Sequence, residues 1–189
     1  MKKLLVFVFA IVLLGSCNKD KDEILTINIG DTYQGGIVFY LDSNGGGLIT
    51  AKTDQGNYEW GCYGTLISGA DGIVIGTGNQ NTIDIKVGCT EAGIAPDNCI
   101  NLTIGEYRDW FLPSKDELNL IWTNLADSDG DGNNNGPSDP NNLGGFASGN
   151  YWSSTELDSS FSWAQNFRIG SQDHNIKTNL LYVRAVRAF

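Results

Sequence analysis

The chain is poor in the residues that most catalytic and nucleic-acid-binding sites need. Among 189 residues it has a single histidine, His174, and 12 basic side chains against 22 acidic ones, for a formal net charge of −10. One imidazole in a polar stretch offers little general acid–base chemistry, and no motif sets a nucleophile beside it. An enzyme is therefore not expected. Nucleic acid recognition needs clustered Lys and Arg, and no such cluster occurs, so neither nucleic acid nor a sulfated polyanion is expected as a partner. The most basic region, around Lys177, Arg184 and Arg187, is small, and on a regular strand Arg184 and Arg187 would face opposite ways. Proline is scarce, with 4 residues against 24 glycines, which predicts many tight turns joined to a modest set of strands and helices.

What is present begins at the N-terminus. Met1-Lys2-Lys3 precedes an unbroken apolar run over residues 4–14, followed by Gly15-Ser16-Cys17. As a helix the run would rise only about 16 Å, too short for a hydrocarbon core of roughly 30 Å. It reads as a signal peptide. The small residues before Cys17 resemble the lipobox of bacterial lipoproteins, which implies an acylated Cys17 and a lipid-anchored, extracytoplasmic chain at the outer membrane or cell surface. Residues 1–16 are then the signal peptide, 17–29 the lipidated cysteine and a charged tether, and 30–189 one domain.

Two β-prone runs flank Asp42-Ser43-Asn44-Gly45-Gly46 and predict a hairpin. Residues 61–81 carry six glycines and read as an extended loop, with a short strand at Ile73-Val74-Ile75. Pro96 suits the first turn of a short helix. Ser114-Lys115-Asp116-Glu117 is a capping box before Leu118, Leu120, Ile121, Trp122 and Leu125, so a helix is predicted there, with its acids placed for the helix dipole rather than for catalysis. Residues 151–153, 163–167 and 182–186 read as strands. The class is α+β.

Trp110-Phe111-Leu112-Pro113-Ser114, Gly144-Gly145-Phe146, Tyr151-Trp152-Ser153-Ser154-Thr155-Glu156, Asn166-Phe167 and Val183-Arg184-Ala185-Val186-Arg187 form an ordered series. That series resembles the Lcl C-terminal domain family, and the opening Gly30-Asp31-Thr32-Tyr33-Gln34-Gly35-Gly36 fits it too. The resemblance implies a C-type lectin-like fold, with two helices, a small twisted antiparallel sheet and a loop-rich half, serving surface recognition or adhesion. An envelope enzyme acting on glycans and a structural surface component are the alternatives.

Three groups of residues are candidate sites. Asp127, Asp129, Asp131, Asn133 and Asn135 place oxygen ligands at every second position, as hard cations such as Ca²⁺ require, with Asp139 closing the site in place of the usual glutamate. The alternative is a solvated acidic loop. Tyr58, Trp60 and Tyr63 lie in the glycine-rich region, where exposed rings could stack on a neutral glycan or a surface protein ligand, although for Trp60 burial beneath the loop is favoured over stacking. Trp110, Trp122 and Trp152 read as core. Excluding Cys17, three cysteines in an oxidising compartment predict one disulfide, with Cys62–Cys89 favoured over Cys89–Cys99.

Overall fold

The computed structural model describes residues 26–189. The signal peptide, Cys17 and most of the tether lie outside the described residues. Among the described residues twelve strands and helices form two sheets and a helical layer, an α+β arrangement.

The first sheet joins both ends of the fold. β1 (Thr32–Tyr33) turns through Gln34-Gly35 into β2 (Gly36–Leu41), and both turn residues have positive φ, 44° and 88°, which suits a two-residue hairpin. The predicted hairpin then forms between β2 and β3 (Gly47–Ala51), whose turn is held by Asp42 accepting from the amides of Asn44 and Gly46. β3 pairs in turn with the last strand, β9 (Val186–Ala188). The second sheet runs in the order β4 (Gly56–Tyr58), β8 (Leu181–Val183), β5 (Asn150–Glu156), β6 (Phe161–Asn166) and β7 (Gln172–Ile176), antiparallel except for β5 against β8.

The run read as one strand over 182–186 is thus two strands in different sheets. Arg184 and Ala185 form the crossing, and Arg184 is buried. Its Nε donates to Asp54 Oδ1 at 2.7 Å, its Nη1 donates to the carbonyls of Ala51 and Gly144, and its guanidinium lies 4.0 Å over the Phe146 ring. Tyr151 Oη donates to the other oxygen of Asp54. This buried network satisfies a charge that would otherwise cost too much inside a fold.

Three helices complete the fold: α1 (Gly78–Gly88), α2 (Ala95–Ile100) and α3 (Lys115–Ile121). The start of α2 follows the proline rule, and α3 carries the predicted capping box in full before running into a π-helical turn over Trp122–Ala126. α1 adds a helix to the two expected and begins inside the stretch read as loop. Ile73, Val74 and Ile75 are exposed turn residues rather than a strand. Trp110 and Trp152 are buried as expected, whereas Trp122 is only half-buried.

Glu117 ties α1 to α3. Beyond closing its own capping box on Ser114 N, it accepts from the amide of Gly76 at 2.7 Å, so one carboxylate serves the starts of two helices. It is fully buried, and that burial raises its pKa above the usual carboxylate value against the hydrogen bonds that lower it.

Cys62 and Cys89 form the disulfide, with Cα atoms 5.7 Å apart and a sequence separation of 27. Cys99 is a free thiol buried on α2, and burial pushes its pKa far up, which makes it unreactive. Closing a loop of this length stabilises the fold by about 3.5 kcal/mol through the unfolded chain. Cys62→Ala/Cys89→Ala should therefore lower the urea-unfolding free energy by about that amount, and a stability equal to wild type would refute the assignment of a structural bridge.

Candidate functional site

The acidic loop emerges directly from the π-helical turn after α3. Carboxylate oxygens of Asp127, Asp129 and Asp131 lie within 4.8 Å of one another. Asp127 is only 4 % exposed and takes the Gly132 amide on both oxygens, at 3.1 and 3.2 Å. Burial, joined by repulsion from Asp131 and Asp129, pushes its carboxyl above the usual range. The remaining predicted ligands do not join this group. Asp139 accepts from Asn135 N and Nδ2 and from Asn141 N, and these bonds hold its carboxyl below the usual range. Asn133 turns its amide toward the Asp131 carbonyl. Of six predicted ligands the loop gathers three; the others close its own turns, because an Asn or Asp side chain reaches amides two residues away more readily than a distant point.

The aromatic group divides as well. Trp60 is 0 % exposed, donates its indole N–H to Ser153 O at 2.9 Å, and lies beneath the Lys177 ammonium, 4.5 Å from the ring centre. It is a core residue and no platform for a ligand. Tyr63 is 56 % exposed but stands outside the recess that Tyr58 lines. That recess, of about 430 Å³, is bounded by Tyr58, Glu59, Glu91, Gly93, Ile94 and Leu180. Its walls are held from several directions. Trp152 donates to Tyr58 O, Ala95 N donates to Glu59 O, and the amide of Cys62, beside the disulfide, donates to Glu91 Oε2 at 2.7 Å. The result is an aromatic and aliphatic wall with two carboxylates, a surface able to receive an uncharged or basic group.

A second depression, of about 250 Å³, crosses β5, β6 and β7 and is lined almost wholly by polar side chains, among them Asn150, Asn166, Asp173 and Asn175. Sequence reading missed it, since polar residues on strands look like an ordinary solvated face. His174 belongs to the edge strand β7 rather than to a loop, with its ring 5.1 Å edge-on to Phe161.

The small basic region does not exist as a patch. Lys177 is buried against Glu156, Arg184 against Asp54, and Arg187 pairs with Asp109 and lies over Tyr107. Each of the three cations has its own carboxylate.

The family model described as the Lcl C-terminal domain matches residues 73–187, more than half of the chain. The chain belongs to the Lcl C-terminal domain family. The match spans α1 to β9 and so takes in the acidic loop, the amide-lined depression, and Glu91, Gly93, Ile94 and Leu180 of the Tyr58 recess, while Tyr58 and Glu59 precede it. No protein with a curated description matches the sequence. Within the Lcl C-terminal domain the disulfide lies partly outside the matched stretch, since Cys62 precedes it and Cys89 lies within it.

Proposed function

We propose that this Lcl C-terminal domain is a non-catalytic recognition or adhesion module of C-type lectin-like kind, displayed outside the cytoplasm on a lipid anchor at Cys17, at the outer membrane or cell surface. Membership of the family suggests a surface-associated domain. Attachment at Cys17 rests on the N-terminal sequence, the apolar run and the small residues before that cysteine; among the described residues no helix is long and apolar enough to cross a membrane.

The observation that carries the reading is the Tyr58 recess, a preformed concavity with one aromatic wall, held open by the disulfide and by α2. Its ligand is a neutral glycan or a surface protein. Aromatic stacking contributes about 0.5–1.5 kcal/mol beyond buried area, so Tyr58→Ala should weaken binding on a neutral glycan and matrix-protein array by roughly fivefold. Heparin serves as the control, because every cation of the C-terminal region is already paired. Retention on heparin at physiological salt, or equal array binding by wild type and variant, would refute the reading.

Asp127, Asp129 and Asp131 form the place in this domain that would take Ca²⁺, with three carboxylates gathered and partly desolvated. Ca²⁺ at about tenfold above its dissociation constant should raise the melting temperature by about 3–6 °C, and Asp129→Asn/Asp131→Asn should remove the shift. A melting temperature that ignores millimolar Ca²⁺ in the wild type would reduce the loop to a solvated acidic turn.

A further inference from the structure

We propose that the depression across β5, β6 and β7 binds a single ring of a neutral hexose, as a subsite separate from the Tyr58 recess; the inference rests on the reading of this domain as a glycan-recognition module. The register makes the site. Asn150 on β5 pairs with Asn166 on β6, and Ala164 on β6 pairs with Asp173 on β7. Side chains alternate along strands, so Asn150, Ala164, Asn166, Asp173 and Asn175 all fall on one face. Ala164 is small and buried and makes a low floor between flanking polar groups.

The hydrogen-bonding inventory identifies the ligand. Asn166 Nδ2 donates to Asn150 Oδ1 at 3.0 Å, and Asn179 donates to Asn175 Oδ1, which orients both amides. Among the described residues, Asn150 Nδ2, Asn175 Nδ2, Ser171 Oγ and the second oxygen of Asp173 are left without a protein hydrogen bond. Two amide donors, a hydroxyl and a carboxylate acceptor within one hollow match a row of vicinal hydroxyls, each of which both donates and accepts. An anion would meet the Asp173 carboxylate, and a hard cation would find only that one carboxylate. The volume of about 250 Å³ falls below the roughly 300–1,000 Å³ of pockets for drug-sized ligands, which limits the occupant to one ring. The one ring-bearing residue along the hollow, His174, sets its ring edge-on against Phe161, so stacking adds little and affinity should be millimolar, a range that many anchored copies on one surface make useful through avidity.

The test uses the isotope-labelled full chain in detergent solution, titrated with methyl α-mannoside, methyl β-glucoside and methyl β-galactoside while side-chain amide resonances are followed by NMR. At least one glycoside should move the Asn150 and Asn175 amide signals along a saturable curve. Asp173→Ala/Asn175→Ala, at exposed or half-exposed positions on an edge strand, should fold normally and bind that glycoside about tenfold more weakly. Wild-type affinity in that variant would overturn the subsite. Shifts confined to residues around Tyr58 would also overturn it while leaving the recognition reading intact, and an absence of shifts anywhere would overturn both.

Discussion

Glu117→Ala should cost this domain about 3–5 kcal/mol of folding free energy, a large part of the total stability of an ordinary domain. The carboxylate accepts from Ser114 N and Gly76 N at 2.7 Å each. Alanine would leave these amides buried without acceptors and would disconnect the start of α1 from α3. The packing around the group is equally tight. A Cβ at Gly78 would stand 2.2 Å from Glu117 Oε2 and 2.7 Å from Ser114 N, so Gly78→Ala should damage the same junction. Glu117→Gln keeps the shape but sets an NH₂ against a donor, and it should lie between alanine and wild type.

The same group has a pH signature. Its folded pKa is raised above the ordinary 4.5, with burial the largest cause, so its contribution to stability is full below that value and declines as pH rises through the folded pKa. The Glu117→Gln variant lacks this titration. Melting curves from acid to neutral pH should therefore show the advantage of the wild type over glutamine shrinking as pH rises. An advantage that grew with pH would mean that the amide hydrogen bonds outweigh burial.

Lys177→Met should be similarly damaging, at about 3–5 kcal/mol, because it strands a carboxylate in the core. Lys177 and Glu156 are both buried, and Lys177 Nζ also donates to Thr65 O at 3.0 Å. Glu156 in turn accepts from Ile67 N on both oxygens, so the pair pins the glycine-rich stretch between β4 and α1 onto the second sheet. Glu156→Leu/Lys177→Met should recover part of the loss, since no uncompensated charge remains, yet stay below wild type because Ile67 N and Thr65 O lose their partners. Urea unfolding of both single variants and the double closes the cycle. Additive losses would show that the two charges do not depend on one another.

Several elements were legible because their causes are local. Ser114 and Glu117 stand three residues apart before an apolar run, and α3 forms there. Asp42 to Gly47 is a turn between β-prone runs, and the β2–β3 hairpin closes on it. α1 shows the limit of that approach. Its buried residues are Gly78, Asn81, Thr82 and Ile85, a helical face by spacing, but three of the four are not apolar. Hydrophobic periodicity cannot register a face made of glycine, an amide and a hydroxyl. Those residues are buried because Asn81 bonds Gly72 O and Ser154, and Thr82 bonds Leu112, partners supplied by other segments.

The candidate sites divide in the same way. Alternating aspartates marked the acidic loop, but the direction of Asp139 followed from its reach to the Asn135 and Asn141 amides. Counting cysteines gave one bridge, while its pairing depended on which two were brought within 5.7 Å. Sequence favoured burial of Trp60 over stacking on a ligand without naming its partners; Ser153 and Lys177, both more than 90 positions away, supply them. By itself the sequence determined the acidic charge, the capped helix, the hairpin and the scarcity of cations, since each depends on composition or on neighbours a few residues apart. The tertiary structure alone decided that 182–186 would cross between sheets, that Arg184 and Lys177 would be buried with carboxylates, and that amides from three strands would share one hollow. Those outcomes depend on contacts between distant segments, whose free energy belongs to the pair and is written in neither segment alone.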